Sequence, residues 1–241
     1  MRRARTTLIA LAAGLSAGLP ASCGMLDCVK GTGNPVTRTL TVADLHGIHV
    51  QGSVDVQLVP GATQQVSVEG QANIIDLLET TVTDGIWIIR TRSCYSTDKP
   101  FIVHLQVPTI DAIRVEGSGD VSGSEAFNAG AVDLDVLGSG NVKVAFNAQR
   151  IHASIQGSGD IALIGSAPDL DLSVQGSGDV KAFGLQAERA TVRVTGSGDV
   201  HVNVRASLNA RVTGSGNVHF RGTPADVRSD VTGSGVVEAD R

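Results

Sequence analysis

Apolar and polar residues alternate along most of this chain, and one tripeptide interrupts the alternation at regular intervals. GSG occurs at 117–119, 138–140, 157–159, 176–178, 196–198, 214–216 and 233–235. Successive copies start 21, 19, 19, 20, 18 and 19 residues apart. Aligned on the first glycine, the sequence resolves into columns. Two places before it stand Val115, Val136, Ile155, Val174, Val194, Val212 and Val231; four places after it stand Val121, Val142, Ile161, Val180, Val200, Val218 and Val237. The column four before is mostly apolar, from Ile113, Leu134 and Ala153 to Ser229, and the one between is polar, from Arg114 and Asp135 to Asp230. Period-two alternation on both sides of a glycine turn predicts strand, turn, strand, each strand with one face buried.

A fixed period near 19 marks stacked repeats. In the unit 141–159, Val142, Val144 and Phe146 alternate, Asn147–Arg150 reads as a second turn, and Ile151, Ala153 and Ile155 alternate again before GSG. Two strands and two turns per unit suit a parallel β-solenoid, with units stacked about 4.8 Å apart and two sheets enclosing a thin aliphatic core. An antiparallel meander of hairpins fits less well. Equivalent residue types recur at one register, so that Gln156 would lie beside Gln175 and Thr195 beside Thr213 and Thr232, as in-register parallel stacking requires.

The turn residues are assigned structural roles. The glycines are Gly117 and Gly119, Gly138 and Gly140, Gly157 and Gly159, Gly176 and Gly178, Gly196 and Gly198, Gly214 and Gly216, and Gly233 and Gly235. They supply positive φ and close approach between coils. Asp120, Asn141, Asp160, Asp179, Asp199 and Asn217 follow them as short polar turn formers, and Val236 takes that place in the last copy.

Before Gly117 the pattern loosens. Short alternating runs at 40–42, 48–50, 54–59, 66–68, 86–89 and 101–107 read as strands, and NIIDLLETTV begins with a helical turn. We read 34–238 as a single solenoid domain, with irregular coils at 34–112 and regular ones at 113–238. With 41 % hydrophobic but only 3 % aromatic residues, the core must be built from Val, Ile, Leu and Ala.

Arg2, Arg3 and Arg5 precede an apolar run from Thr7 to Ala21, a signal peptide over 1–22 rather than a membrane span. It ends in LPASCG at 19–24, which makes Cys23 a candidate for lipidation, followed by an anchor or linker over 23–33. Leu19 and Pro20 depart from the usual lipidation spacing, and ordinary cleavage after Ala21 is the rival. If Cys23 carries lipid, Cys28 and Cys94 remain as an even pair in a compartment where disulfides persist; otherwise one thiol is left over. The expectation is an exported envelope protein of the periplasm or cell surface, an outer-membrane lipoprotein held to the membrane by lipid.

Several stretches resemble a known family: VADLHGIHVQGSVDVQLVPG at 42–61, VSVEGQANIIDLLETTVTDGIWI at 66–88, VPTIDAIRVEGSGDV at 107–121, and the later GSGD and GSGN turns. Together they are similar to bacterial exported proteins carrying the "putative auto-transporter adhesin, head GIN" domain. That resemblance spans roughly 34–238 and implies a right-handed superhelix of two sheets and an inferred role in adhesion. GSVD at 52–55 departs from the family's GSGD, and Val54 would be ill suited to positive φ.

Candidate chemistry is sparse. A net charge of −5 without clustered Lys and Arg argues against nucleic acid. The Asp/Asn column lacks the spacing of calcium-binding repeats, and turn capping explains it better. His201 and His219 share a column with Lys143, Lys181 and Glu238 and read as a solvated outer face rather than a metal site. Asp133 with Asp135, or Asp169 with Asp171, could be offered as glycosidase pairs, and Arg193 with Arg211 as a lyase feature, but same-face spacing is normal for an outer wall. Seven scaffold serines without a partnered base are not nucleophiles. The reading is a non-catalytic binding module without cofactor or metal, its partner a protein or glycan. The alternative is a polysaccharide lyase or hydrolase on a pectin-lyase-like solenoid. The edge of the last coil, ending at Val237–Arg241, also suggests a homo-oligomer.

Overall fold

The computed structural model describes residues 28–240; Cys23 and the signal segment 1–22 lie outside the described residues. It is a β-solenoid of about 7 turns with coils of about 19 residues, 68 % strand and 2 % helix. Each coil has a wall leading into the GSG turn, here the pre-turn wall, and a wall leaving it, the post-turn wall.

The pre-turn wall keeps strict parallel register from coil to coil. Ala112–Gly117 pairs residue for residue with the segment ending at Gly138, and that ladder continues through Gly157, Gly176, Gly196, Gly214 and Gly233. Gln156 faces Gln175, and Thr195 faces Thr213, which faces Thr232. The post-turn wall absorbs the differences in period. The 21-residue unit carries its two extra residues as a bulge between Ser122 and Ala126, and the 20-residue unit shifts between Ala182 and Gln186.

The apolar columns form one continuous core. Val115, Val136, Ile155, Val174, Val194 and Val212 are at most 1 % exposed, as are Val121, Val142, Ile161, Val180, Val200 and Val218 opposite them. The second turn expected at Asn147–Arg150 is absent. Val142–Gly157 is one strand that bends through the corner while Asn147 and Ala148 stay paired with Asn128 and Ala129. Continuing the ladder keeps the backbone groups bonded there, which a true turn would not. The strand is interrupted at this corner where Pro168 or Pro224 lacks an N–H, between Ile161–Ser166 and Asp169–Gly176 and between Val218–Arg221 and Asp226–Gly233.

At the N-terminal end, stacking order departs from chain order. Gly47–Gly52 lies in register beneath Ala112–Gly117, but Ile86–Ile89 pairs with its other side. Ile102–Val107 likewise flanks Asp55–Pro60. The chain therefore runs one coil backwards before the regular stack begins. Gln65–Gln71 then pairs antiparallel with Ile102–Val107, and Pro35–Leu40 pairs antiparallel with Gln65–Gln71. The helical turn is Ala72–Ile75. Trp87 is fully buried here, its Nε1 donating to Glu79 O at 3.0 Å. Cys28 and Cys94 form a disulfide with Cα atoms 4.8 Å apart, joining Val29–Lys30 to Tyr95–Ser96.

Candidate binding faces

The two glycines of each turn do different work. Gly157 has φ +138°, and a Cβ there would also lie 2.2 Å from Gly138 O. Gly159 lies outside the left-handed region; its constraint is purely steric, because a Cβ would meet Gly140 O at 2.0 Å and Val136 Cγ1 at 2.9 Å. The same division explains Val54. Gly52 keeps φ +107°, yet a Cβ on it would meet nothing within 4 Å, so no turn is stacked beneath. The second glycine is dispensable there, and Val54 occupies its place with ordinary negative φ and 1 % exposure. The expectation of positive φ at Val54 is thus corrected: only the first glycine of the turn needs it.

The Asp/Asn column is a ladder of caps. Asp120 N–H donates to Asp55 Oδ1, and in turn Asn141, Asp160, Asp179, Asp199, Asn217 and Val236 each donate to the residue one coil earlier, at 2.9–3.1 Å. Each side chain thus receives an otherwise unpaired turn N–H. Lys181 Nζ adds 2.6 Å and 4.0 Å contacts to Asp160 and Asp179. The bond to Asp160 holds the Lys181 ammonium above its ordinary range. Burial opposes ionisation of Asp160, but Lys181 and the Asp179 N–H together outweigh it and hold the carboxyl below its usual value. Among the described residues no group of three or more His, Cys, Asp or Glu is placed to hold a metal.

The outer surface of the pre-turn wall is a flat field of side-chain rows with charges compensated between coils. Asp169 receives Arg189 at 2.7 Å and lies 4.0 Å from Arg150. Asp171 receives Arg193 at 3.1 Å and lies 3.9 Å from His152. Asp135 accepts from Ser154 at 2.5 Å. Arg193 and Arg211 share a row but turn opposite ways, Arg193 back to Asp171 and Arg211 forward to Asp230 at 2.7 Å. Between them an open depression is lined by Thr191, Arg193, Asn209, Arg211 and Asp230. The acids considered for catalysis therefore have cation or hydroxyl partners from the next coil, Asp133 apart, and no two of them face each other across a cleft.

The post-turn wall carries an aromatic cluster where the sequence pattern predicts a solvated face. His201 and His219 stack at 5.1 Å between ring centroids, and Phe183 meets His201 edge-on at 5.0 Å. Arg221 lies 4.0 Å above the Phe183 ring and bonds Asp240 at 2.6 Å. His219 is 3.4 Å from Glu238. Stacked imidazoles present faces to one another, not lone pairs to a common point, which suits packing rather than ligation. Their register made this legible, but Phe183 enters from the shifted segment 182–186, which no column predicts.

Histidines pair with carboxylates elsewhere too: His46 with Asp111 at 2.7 Å, His49 with Glu116 at 3.0 Å and His104 with Glu69 at 3.6 Å. The hydrogen bond that His46 Nδ1–H donates to the Asp111 carboxylate raises the His46 pKa above its ordinary value.

Three solved structures share this architecture. A putative adhesin from Bacteroides fragilis is 22 % identical with a TM-score of 0.82, covering 88 % of this chain and 100 % of that one. A putative adhesin from Parabacteroides distasonis is 29 % identical with a TM-score of 0.73, covering 89 % and 100 %. A protein from the same species described as a putative lipid binding protein is 24 % identical with a TM-score of 0.71, covering 88 % and 99 %. No curated protein sequence matches the chain significantly. The family model described as "Putative auto-transporter adhesin, head GIN domain" matches residues 44–224, from the first stacked coil to the penultimate one, and the chain belongs to that family.

Proposed function

We propose that this protein is an exported envelope module, tethered to a membrane by lipid on Cys23, that binds a protein or glycan through its solenoid walls without catalysing a reaction. The observation that carries this reading is the compensation of the outer wall. Asp169, Asp171 and Asp230 are each held by an arginine from an adjacent coil, which leaves a broad surface of fixed, alternating charge and hydroxyls. Such a surface suits complementary recognition over area rather than acid–base chemistry at a point. The adhesin family and the adhesin-described neighbours support the same direction. Among the described residues no helix is long and apolar enough to cross a membrane.

The lyase or hydrolase alternative needs acids whose carboxylate oxygens are open to a substrate. Asp169 and Asp171, its best candidates, are instead engaged on two sides. Two experiments test the proposal. Metabolic labelling with palmitate should mark the wild-type chain and not Cys23→Ser; unlabelled wild type would remove the anchor. For binding, the exported chain should be retained by isolated envelope fractions, and Arg193→Glu together with Arg211→Glu should reduce retention. Equal retention, or turnover of envelope polysaccharide, would overturn the reading.

A further inference from the structure

The last described coil presents its core edge to solvent. Val227 and Val231 are 42 % and 38 % exposed, whereas Leu208 and Val212, directly beneath them, are at most 1 % exposed. The whole strand Asp226–Gly233 is exposed. Its backbone is equally open. Along the stack, residues of the inward columns send their N–H to the following coil: Val121 to Asn141 O, Val200 to Asn217 O and Val218 to Val236 O, each at 2.8 Å. Outward-column residues look back, as Asp133 does to Asp111 O and Asp240 to Phe220 O. By this alternation Val227, Ser229, Val231 and Gly233 direct their N–H and C=O groups away from the stack.

We propose that this edge pairs with the same edge of a second copy of the chain, antiparallel about a two-fold axis through Ser229. The register follows from three constraints. A two-fold between identical strands makes them antiparallel. Hydrogen-bonded antiparallel pairs must join residues whose backbone groups face the free edge, so odd-numbered residues face odd-numbered ones. Of the registers this leaves near the strand centre, a shift to one side sets Arg228 against the partner's Arg228, and a shift to the other sets Asp230 against the partner's Asp230. Centred on Ser229, the strand places Arg228 opposite the partner's Asp230 twice over, and Val227 opposite the partner's Val231 twice over.

Local contacts fit this arrangement. Asp230 already receives Arg211 at 2.7 Å, so it would lie between two guanidinium groups. Arg228 is held only loosely, 3.4 Å from Asp226 on its own strand. On the post-turn wall, Glu238 and Asp240 have their own partners in His219 and Arg221, so this end of the stack does not present uncompensated acids to its copy. Self-pairing would continue the parallel stack with one antiparallel step and cover the exposed valines.

The test is the mass of the full chain carrying Cys23→Ser, which keeps lipid from setting the mass, by light scattering across a concentration series. A dimer is expected. Asp230→Arg should weaken it roughly tenfold or more, because like charges then face one another. Adding Arg228→Asp to Asp230→Arg should recover the dimer. Both variants lack the Arg211 contact, so recovery reads only the pairing between copies. Ser229→Cys should give a reductant-sensitive dimer, since hydrogen-bonded antiparallel Cα atoms lie about 5.5 Å apart, within disulfide reach; Arg228→Cys should not. A monomer at every concentration, no recovery in the double variant, or cross-linking through Arg228→Cys alone would overturn the proposal.

Discussion

Placing a methyl group on the second turn glycine should be as damaging as placing it on many core positions, although that glycine needs no unusual backbone angle. In Gly159→Ala the new Cβ lies 2.0 Å from Gly140 O and 2.9 Å from Val136 Cγ1. The carbonyl belongs to the coil beneath, so relief requires the two coils to part by more than 1 Å at that corner, on the order of the shortfall from ordinary van der Waals contact. Parting strains three bonds: Ser158 N–H and Gly159 N–H to Gly138 O, at 2.8 and 3.1 Å, and Asp160 N–H to Asn141 Oδ1, at 3.0 Å. Overpacking costs about 1–3 kcal/mol and each weakened bond up to about 1 kcal/mol, so a loss of about 3–5 kcal/mol is expected. Gly52→Ala isolates the other constraint. Its φ is +107° but its Cβ has free space, so only backbone strain of about 1–2 kcal/mol applies. Gly157→Ala combines both and should be the worst of the three. Urea unfolding followed by far-ultraviolet circular dichroism gives the order. If Gly52→Ala costs as much as Gly159→Ala, or Gly159→Ala costs less than about 1 kcal/mol, close stacking is not what the second glycine serves.

Three further outcomes follow from the same geometry. Opening the Cys28–Cys94 disulfide, by Cys94→Ser or by reductant, should lower stability by about 2–4 kcal/mol given the 66-residue separation it closes; an unchanged thermal midpoint would contradict this. Asp160→Ala should cost about 1–2 kcal/mol by orphaning the Asp179 N–H, whereas Asp160→Asn, which keeps that acceptor, should cost less, and neither midpoint should respond to calcium or chelator. The raised His46 pKa means that its pairing with Asp111 stabilises the fold fully below the unfolded-state value near 6.5 and is lost as pH rises through the higher folded value. The wild-type midpoint should therefore fall relative to that of His46→Gln on going from about pH 5.5 to 8, and a constant difference would refute the assignment.

The columns read from the sequence are the columns of the structure, because parallel stacking repeats one environment every coil and the chain answers with one residue type. What escaped reading has physical causes. Polar contacts such as Arg193 with Asp171 join neighbouring outward columns as well as neighbouring coils, and a column-by-column alignment does not reveal the diagonal. Contacts such as His46 with Asp111 span 65 residues, because the chain runs one coil backwards before rising, and no period announces that reversal. Asn147–Arg150 has turn-forming composition and so predicts a turn, yet a strand bends through this second corner with its ladder intact. Phe183 falls outside the columns because irregular spacing, harmless on the post-turn wall, destroys the alignment that makes the pre-turn wall legible.

This division between walls bears on where recognition can be written into such a fold. Inward columns are committed to the core, and the turn glycines to close approach and backbone angle. The capping column is committed to backbone N–H groups, so substitution at any of these positions is first a stability event. The outward rows of the pre-turn wall carry no such duty: Thr191, Ser207 and Asn209 occupy places that Asp or Arg occupies in other coils. Those rows can change identity without disturbing the stack, and strict register holds their side chains at fixed spacing. The bulge at 122–126 and the shifted segment at 182–186 interrupt the regular register of the opposite wall. A rigid lattice of exchangeable side chains is suited to a large ligand engaged at many weak points, where affinity comes from number and spacing rather than from one deep pocket. Self-pairing through Asp226–Gly233 would double the number of such points on one rigid body and leave the outward rows open.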